Sequence, residues 1–253
     1  MIRLSAVIIS LNEERNIGRC LESLSGVADE IVVVDSGSTD RTQEICKSYG
    51  VRFITNPFEG YIQQKNFALE NCTNEHILSV DADESLSEDL KKSIVLLKSD
   101  WVKDGYQFNR LTNYCGKWIR HCGWYPDSKL RLFKKDAGKW GGSNPHDKFI
   151  LNDGNISGFV KGDLLHYSYY TISDHIRQVN RFSEIEALTA YKEGRRCSLL
   201  HLIVKPKLKF IRDFIFRLGF LDGYYGLIIC RISSYALFIR YAKLYELQKN
   251  KSI

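Results

Sequence analysis

Four short apolar runs in the first hundred residues restrict this chain to a small set of folds. Residues 4–10, 31–34, 51–55 and 77–80 each have the length of a strand, and the second is β-branched throughout. Helical patterns fill the gaps. Ile17, Cys20, Leu21 and Leu24 recur at helical spacing after the first run. Asp40 is placed to cap a helix that stops near Gly50. A loop with Pro57 and Gly60 precedes a helix over about 63–71, and Ser87 is placed to cap one running to about residue 98. Strands alternating with helices predict a parallel sheet covered on both faces, and strands that are apolar almost throughout point the same way. Such sheets bind ligands beyond the carboxyl ends of their strands.

From about residue 106 the pattern changes. Runs at 106–114, 129–133, 149–151 and 156–160, separated by Gly, Asn and Asp, predict an antiparallel extension of the sheet rich in Trp, Tyr and His. Beyond 171 the pattern is helical. The 253 residues are 44% hydrophobic and 26% charged, ordinary for a globular chain with a full core. Seven cysteines, odd in number and without a CxxC pair, suit a reducing compartment and argue against a disulfide framework or a structural zinc site. The first apolar run is too short for a signal-peptide core and is expected to be a strand; the sequons at Asn71 and Asn155 are then chance matches.

The net charge of +6 is unevenly spread. Residues 1–191 hold 23 Lys/Arg and 26 Asp/Glu, whereas residues 192–253 hold 13 and 4. A basic, aromatic-rich tail on an acidic domain implies an anionic partner, a membrane surface or a nucleic acid. No nucleic-acid recognition motif accompanies the charge, so nucleic acid is the weaker choice.

Three predicted strands end in polar clusters: Ser10-Leu11-Asn12-Glu13, Asp35-Ser36-Gly37-Ser38 and Asp81-Ala82-Asp83-Glu84. No GxGxxG or Walker A sequence is present, so any bound nucleotide would have its phosphates handled by carboxylates and a metal. Asp81-x-Asp83 suits a hard divalent cation, which takes one or two protein carboxylates and fills its shell with water and substrate phosphates. The competing reading is a helix N-terminus, where acidic residues favour the dipole. Asp35 is placed either to accept from a base N–H or ribose hydroxyl, or to close an Asx-turn with Ser36, Gly37 and Ser38.

The segments "IISLNEERNIGRCLESLSGVADEIVVVDSGSTDRTQEI", "GYIQQKNFALENC" and "ILSVDADESLS" resemble, in order, the family-2 glycosyltransferases of GT-A fold, and most of all the bacterial lipopolysaccharide-core β-1,4-glucosyltransferase subgroup. The resemblance is dense over residues 4–100 and thinner to about 240. It implies a Rossmann-like α/β fold with a mixed sheet flanked by helices and a C-terminal helical extension. The expected domains are 1–190 for transfer (1–105 for the nucleotide-sugar, 106–170 for the acceptor) and 191–253 for a basic amphipathic extension. Carried over by position, it implies that Ser10, Asn12 and Glu13 line the nucleotide pocket and Asp35 meets the base. Asp81 would meet ribose or metal, Asp83 the metal, and Lys65 the donor or its diphosphate.

The implied general base, which takes the acceptor hydroxyl's proton, is Asp147 in "WGGSNPHDKF", where the family more often has Glu; the competing reading is a solvated Asp147-Lys148 turn. His146 is read as positioning that loop. His166 completes a metal shell or is a packed core histidine. Arg131 contacts acceptor or phosphate, or faces outward on an edge strand. Trp118, Trp124 and Tyr125 stack on a sugar or belong to the core. Together these imply an inverting transferase dependent on Mg²⁺ or Mn²⁺, with a UDP-hexose such as UDP-glucose as donor and a glycolipid as acceptor. It would work at the inner face of the bacterial cytoplasmic membrane. The alternatives are a polyprenyl-phosphate sugar transferase and a non-catalytic membrane-docked nucleotide-binding module. In the tail, apolar residues at 210, 211, 214, 215 and 218 follow a helical stripe with cations beside it. The later apolar runs fall far short of the ~20 residues that span a bilayer. The tail therefore either lies in the membrane interface or packs on the catalytic domain.

Overall fold

The four apolar runs are neighbouring strands. The structure is a computed structural model that describes residues 1–143 and 146–250, Ser143 and His146 by backbone alone. Chain order begins β1 (Leu4–Ser10), α1 (Ile17–Leu24), β2 (Glu30–Asp35), α2 (Thr42–Ser48), β3 (Arg52–Thr55), α3 (Tyr61–Glu70), β4 (His76–Asp81), β5 (Glu84–Leu86) and α4 (Glu88–Leu97). It continues with β6 (Gly105–Tyr114), β7 (Lys117–Ile119), β8 (Ser128–Lys134), β9 (Gly138–Ser143), β10 (His146–Leu151) and β11 (Ser157–Tyr169). Three long helices follow: α5 (Ile172–Lys192), α6 (Leu199–Ile211) and α7 (Gly223–Asn250). Among the described residues, the larger sheet has the order β3-β2-β1-β4-β8-β6-β11-β5, with β7 beside β6. The first four strands are parallel; β8, β6 and β5 join antiparallel to a neighbour. This is the mixed sheet flanked by helices, with a helical C-terminal extension, that the resemblance to the GT-A fold implies.

Side-chain alternation along the parallel strands builds two cores. Ala6, Ile8, Val33, Leu78 and Val80 face one way, onto Leu21 of α1 and Leu90 and Ile94 of α4. Val7, Val32, Val34 and Ile77 face the other, onto Ala68 and Leu69 of α3 and onto Phe133, Trp140 and Phe149. Because both faces are covered, these strands read as unbroken apolar runs. Ser87 caps α4 as its position promised, its hydroxyl accepting from the Leu90 N–H at 3.2 Å. Asp40 lies one residue before the capping position of α2 and still accepts from the Thr42 N–H at 3.0 Å.

Three of the described strands had no counterpart in the sequence pattern; one is β7, three residues that pair with β6. β5 follows the Asp81-x-Asp83 turn at once and pairs with β11, Glu84 standing opposite His166. β9 pairs with β10 in a separate two-stranded sheet, its glycines hiding the usual β signal.

The chain also divides differently from a cut at residue 190. One compact unit holds residues 1–110 and 127–167; the other holds 111–126 and 168–253. In the second unit Tyr114, Ile119 and Cys122 share a core with Ile229 and Cys230 of α7, so the 111–126 segment belongs with the helices. Its α6 runs through Pro206, which is buried and whose carbonyl accepts from Ser234 at 2.7 Å. A π-helical turn over 212–216 then splits the expected stripe: Phe210 and Phe214 stack at 5.3 Å and turn inward, while Ile211, Ile215 and Leu218 are exposed. Among the described residues, no helix is long and apolar enough to cross a membrane.

Candidate active site

Register brings the polar strand ends to one edge of the first unit. Ser10 stands opposite Asp35, and Ile9 opposite Asp81, so β1, β2 and β4 finish level. Past that edge the loops are tied together. Asn12, with a left-handed backbone (φ 55°) that Asn tolerates better than most residues, accepts from the Thr39 N–H at 2.8 Å and donates its own N–H to Ser38 Oγ at 2.7 Å.

Asp35 is buried and accepts four hydrogen bonds: Ser10 Oγ at 2.8 Å, the Gly37 N–H at 2.9 Å, and the N–H and hydroxyl of Ser38 at 2.7 and 2.6 Å. An ionised carboxylate has about four acceptor sites, so Asp35 here organises the loop as an Asx-turn. Contact with a base would exchange one of these partners. Glu13 lies close by, its N–H donating to Thr42 Oγ1 at 2.8 Å. Burial pushes its carboxyl up to about 7 against a 2.8 Å hydrogen bond from Asn16, and the charges of Asp83, Asp40 and Asp81 add to the rise.

The densest charge cluster surrounds Asp81. Lys65 lies on the buried face of α3 with Gln64, Ala68 and Leu69. Its ammonium is 2.9 Å from Asp81 Oδ1 and 2.8 Å from Asp147 Oδ2. Asp147 reaches it because it shares a face of β10 with Phe149, which stacks on Phe133 at 3.5 Å. Arg131, on the same face of β8 as Phe133, donates to Asp81 Oδ2 at 2.7 Å and lies 3.5 Å from Glu84. Arg131 is buried on a strand inside the sheet, between β4 and β6, so it is not an outward charge on an edge. Burial opposes the charge on Asp81, but Arg131 and Lys65 together hold its carboxyl far below the usual range.

Three further side chains, Trp140, Asn66 and Arg110, join this cluster. Trp140 lies under both cations, 4.5 Å from the Lys65 ammonium and 5.4 Å from the Arg131 guanidinium. Asn66 holds Trp140 by both backbone groups, at 3.0 and 3.1 Å. Glu84, at the end of the same turn, accepts the Asp81 N–H at 2.9 Å and faces Arg110 at 3.4 Å. Only the Asn66–Lys65 adjacency was visible in the sequence; Arg110 and Trp140 carried no signal of their own.

Asp83 and His166 meet on the far side of Asp81. Pairing of β11 with β5 brings His166 Nε2 to 3.2 Å from Asp83 Oδ2. Burial would raise the Asp83 pKa, but attraction and hydrogen bonding from His166 outweigh it and lower it. Among the described residues no three His, Cys, Asp or Glu side chains converge on one point as a cation cage. The donors nevertheless fit a hard cation that completes its shell with water and phosphate. Two ligands at right angles, each about 2.1 Å from an ion, stand about 3 Å apart, close to the Asp83–His166 spacing. Asp81 Oδ1 is already met by the Lys65 ammonium at 2.9 Å, so the cation's protein ligands would be Asp83 and His166. Arg131 Nη1 is a buried donor without a hydrogen bond, suited to an anionic oxygen.

The remaining sequence candidates separate. Trp124 lies in the second unit, edge-on to Tyr114 at 5.8 Å and to His175 at 5.7 Å, as part of an aromatic core. Trp118 stands on β7 opposite Asn113, and Tyr125 carries Arg120 over its ring at 5.4 Å, both also in that unit. The side chain of His146 lies outside the described residues.

The model of the family described as Glycosyl transferase family 2 matches residues 5–149. An uncharacterized glycosyltransferase of Rickettsia typhi is 32% identical over 98% of this chain and 88% of its own length. The lipopolysaccharide core biosynthesis glycosyltransferase LpsC of Rhizobium meliloti is 34% identical over 96% of this chain and 92% of its own. Among solved structures, S. aureus TarS in complex with UDP-GlcNAc is similar with a TM-score of 0.49 and 15% identity, over 99% of this chain and 92% of that one. With the family model spanning more than half of the chain and relatives above 30% identity along nearly all of it, the chain belongs to glycosyl transferase family 2 and is a glycosyltransferase.

Proposed function

We propose that this glycosyltransferase moves a hexose from a UDP-sugar, UDP-glucose in the first instance, onto the inner core of lipopolysaccharide or a similar glycolipid, with inversion and with Mg²⁺ or Mn²⁺. The acceptor would be met at the inner face of the cytoplasmic membrane, with the C-terminal helices in peripheral contact. The lipopolysaccharide-core role in the name of LpsC supports the acceptor class; the donor follows from the motif resemblance. One observation carries the mechanism: a single ammonium, Lys65, joins the carboxylate of the Asp81-x-Asp83 turn to Asp147.

In this reading Ser10, Asn12, Glu13 and Asp35 shape the nucleotide side, and Asp35 takes the base by releasing one of its loop partners. A divalent cation held by Asp83 and His166, with Asp81 beside it, would neutralise charge on the departing nucleoside diphosphate. Lys65 and the spare Arg131 donor add fixed positive charge, the kind of preorganised electrostatics that usually dominates such reactions. Asp147 takes the proton of the acceptor hydroxyl as its oxygen attacks the anomeric carbon; the bond to the nucleotide breaks with its electron pair leaving on the diphosphate. Base and leaving group stand on opposite sides of the sugar, which gives inversion.

The test is a screen of UDP-, GDP- and dTDP-sugars for metal-dependent release of the nucleoside diphosphate, with a lipid extract as acceptor. UDP-glucose should turn over in this assay. Asp147→Asn should lower kcat by about 10²–10⁴-fold and leave UDP binding, read by titration calorimetry, intact. Near-normal turnover by Asp147→Asn would remove the base and favour an acceptor that is already an anion, such as a polyprenyl phosphate. Binding without turnover of any donor would favour a non-catalytic module.

A further inference from the structure

The turn between α6 and α7 presents large apolar side chains to solvent. Phe216 is 76% exposed, Tyr224 65% and Leu221 55%, and Ile215, Leu218 and Phe220 stand out beside them. Soluble surfaces scatter such residues singly, and a contiguous apolar group rimmed by polar side chains marks an interaction site.

The turn is held rigidly by its own unit. The buried carboxylate of Asp222 accepts from the His121 N–H at 2.8 Å and lies 3.1 Å from His121 Nδ1, while its carbonyl accepts from Lys117 at 2.6 Å. Gly226 lets α7 pass close to the turn: a Cβ there would lie 1.9 Å from the Gly219 carbonyl. Leu218 takes a left-handed backbone, φ 54°, unfavourable for a branched side chain. The apolar group is therefore displayed by a braced turn and is not a collapsed loop.

Cations surround it. Asp213, itself buried, gathers Lys209 at 2.7 Å, Arg212 at 2.8 Å and Arg217 at 3.4 Å. One carboxylate among three cations leaves an excess of positive charge beside the apolar group, and Arg212 and Arg217 are about half exposed. A second copy of the chain would oppose this charge with its own. Anionic phospholipid headgroups complement it, and the acyl boundary beneath them accepts Phe, Leu and Ile.

We propose that the 212–224 turn is the membrane-docking element, inserting Phe216, Leu218, Phe220 and Leu221 into an anionic lipid surface with Arg212 and Arg217 at the headgroups. It rests on the peripheral-membrane part of the function proposed above and refines it: contact is through the tip of a helical hairpin, not along a whole basic helix. The test is flotation of the full chain with vesicles of phosphatidylglycerol and phosphatidylcholine, and of phosphatidylcholine alone. Removing residues 191–253 would also strip the cover from Ile119 and Cys122, so point variants are required. Phe216→Glu and Leu221→Glu should each weaken binding to the anionic vesicles about tenfold or more. Their thermal midpoints and UDP affinity should stay those of wild type, which separates loss of docking from loss of the transfer site. Arg212→Gln with Arg217→Gln should abolish the preference for anionic over neutral vesicles. Wild-type flotation by Phe216→Glu would overturn the assignment. So would a lipid-free dimer that Phe216→Glu converts to monomer, since the turn would then be an interface between copies.

Discussion

The Lys65 ammonium, 2.9 Å from Asp81 and 2.8 Å from Asp147, is almost fully buried and has no neutral substitute of equal effect. Lys65→Met keeps the length of the side chain and leaves two partly buried carboxylates short of a cation. Breaking such a pair by removing one partner typically costs about 3–5 kcal/mol; since Arg131 still serves Asp81, a loss of about 3 kcal/mol in urea unfolding is expected. Glu13 gives a prediction in pH. Its carboxyl is raised from 4.5 to about 7 in the folded chain, so between those values the folded state holds a proton that the unfolded state has released. Its contribution is complete below 4.5 and is lost as pH rises through about 7. Glu13→Gln should therefore melt increasingly above wild type as pH climbs from 5 to 8, measured by differential scanning calorimetry. A constant difference across that range would refute the shift.

Among the elements, the meeting of α4 with β11 shows how one side chain serves two backbones. Ser87 Oγ accepts from the Leu90 N–H at 3.2 Å and from the Asp163 N–H at 3.1 Å. Gly162 (φ 112°) makes the approach feasible, since a Cβ there would lie 2.4 Å from the Leu90 nitrogen. Ser87→Ala should cost about 1–2 kcal/mol in urea unfolding, whereas Ser87→Asp should retain most of the cap. The cap was legible in the sequence because capping is local, a polar residue three positions before a helical N–H. β5 was not legible, because a three-residue strand exists only through the pairing partner that β11 supplies from far along the chain. The π-helical turn was equally hidden. A stripe at 210, 211, 214, 215 and 218 satisfies helical spacing, and only packing against α7 decides which of those residues turn inward.

For the whole molecule, the proposed cation site should couple to folding, because Asp83 in the β4–β5 turn and His166 on β11 meet only in the folded state. Adding Mn²⁺ with UDP should raise the thermal midpoint of the wild type through mass action on the native state. Asp83→Ala should remove that increment, measured against its own midpoint without Mn²⁺. An unchanged increment would place the ion elsewhere. Through alternation and strand-end chemistry, the sequence alone determined the parallel strands β1 to β4, the edge at which Ser10, Asp35 and Asp81 finish, and the helical nature of the tail. Those signals are local, and each residue carries its own. The tertiary structure decided that Asp35 is saturated by Ser10 together with its own loop, that Arg131 lies buried beside Asp81, and that Trp140 underlies both cations. It also joined residues 111–126 to the C-terminal helices and braced an apolar turn amid cations. These depend on contacts between residues distant in the chain, and no local pattern encodes which partner a buried charge or an inward-turning ring will find.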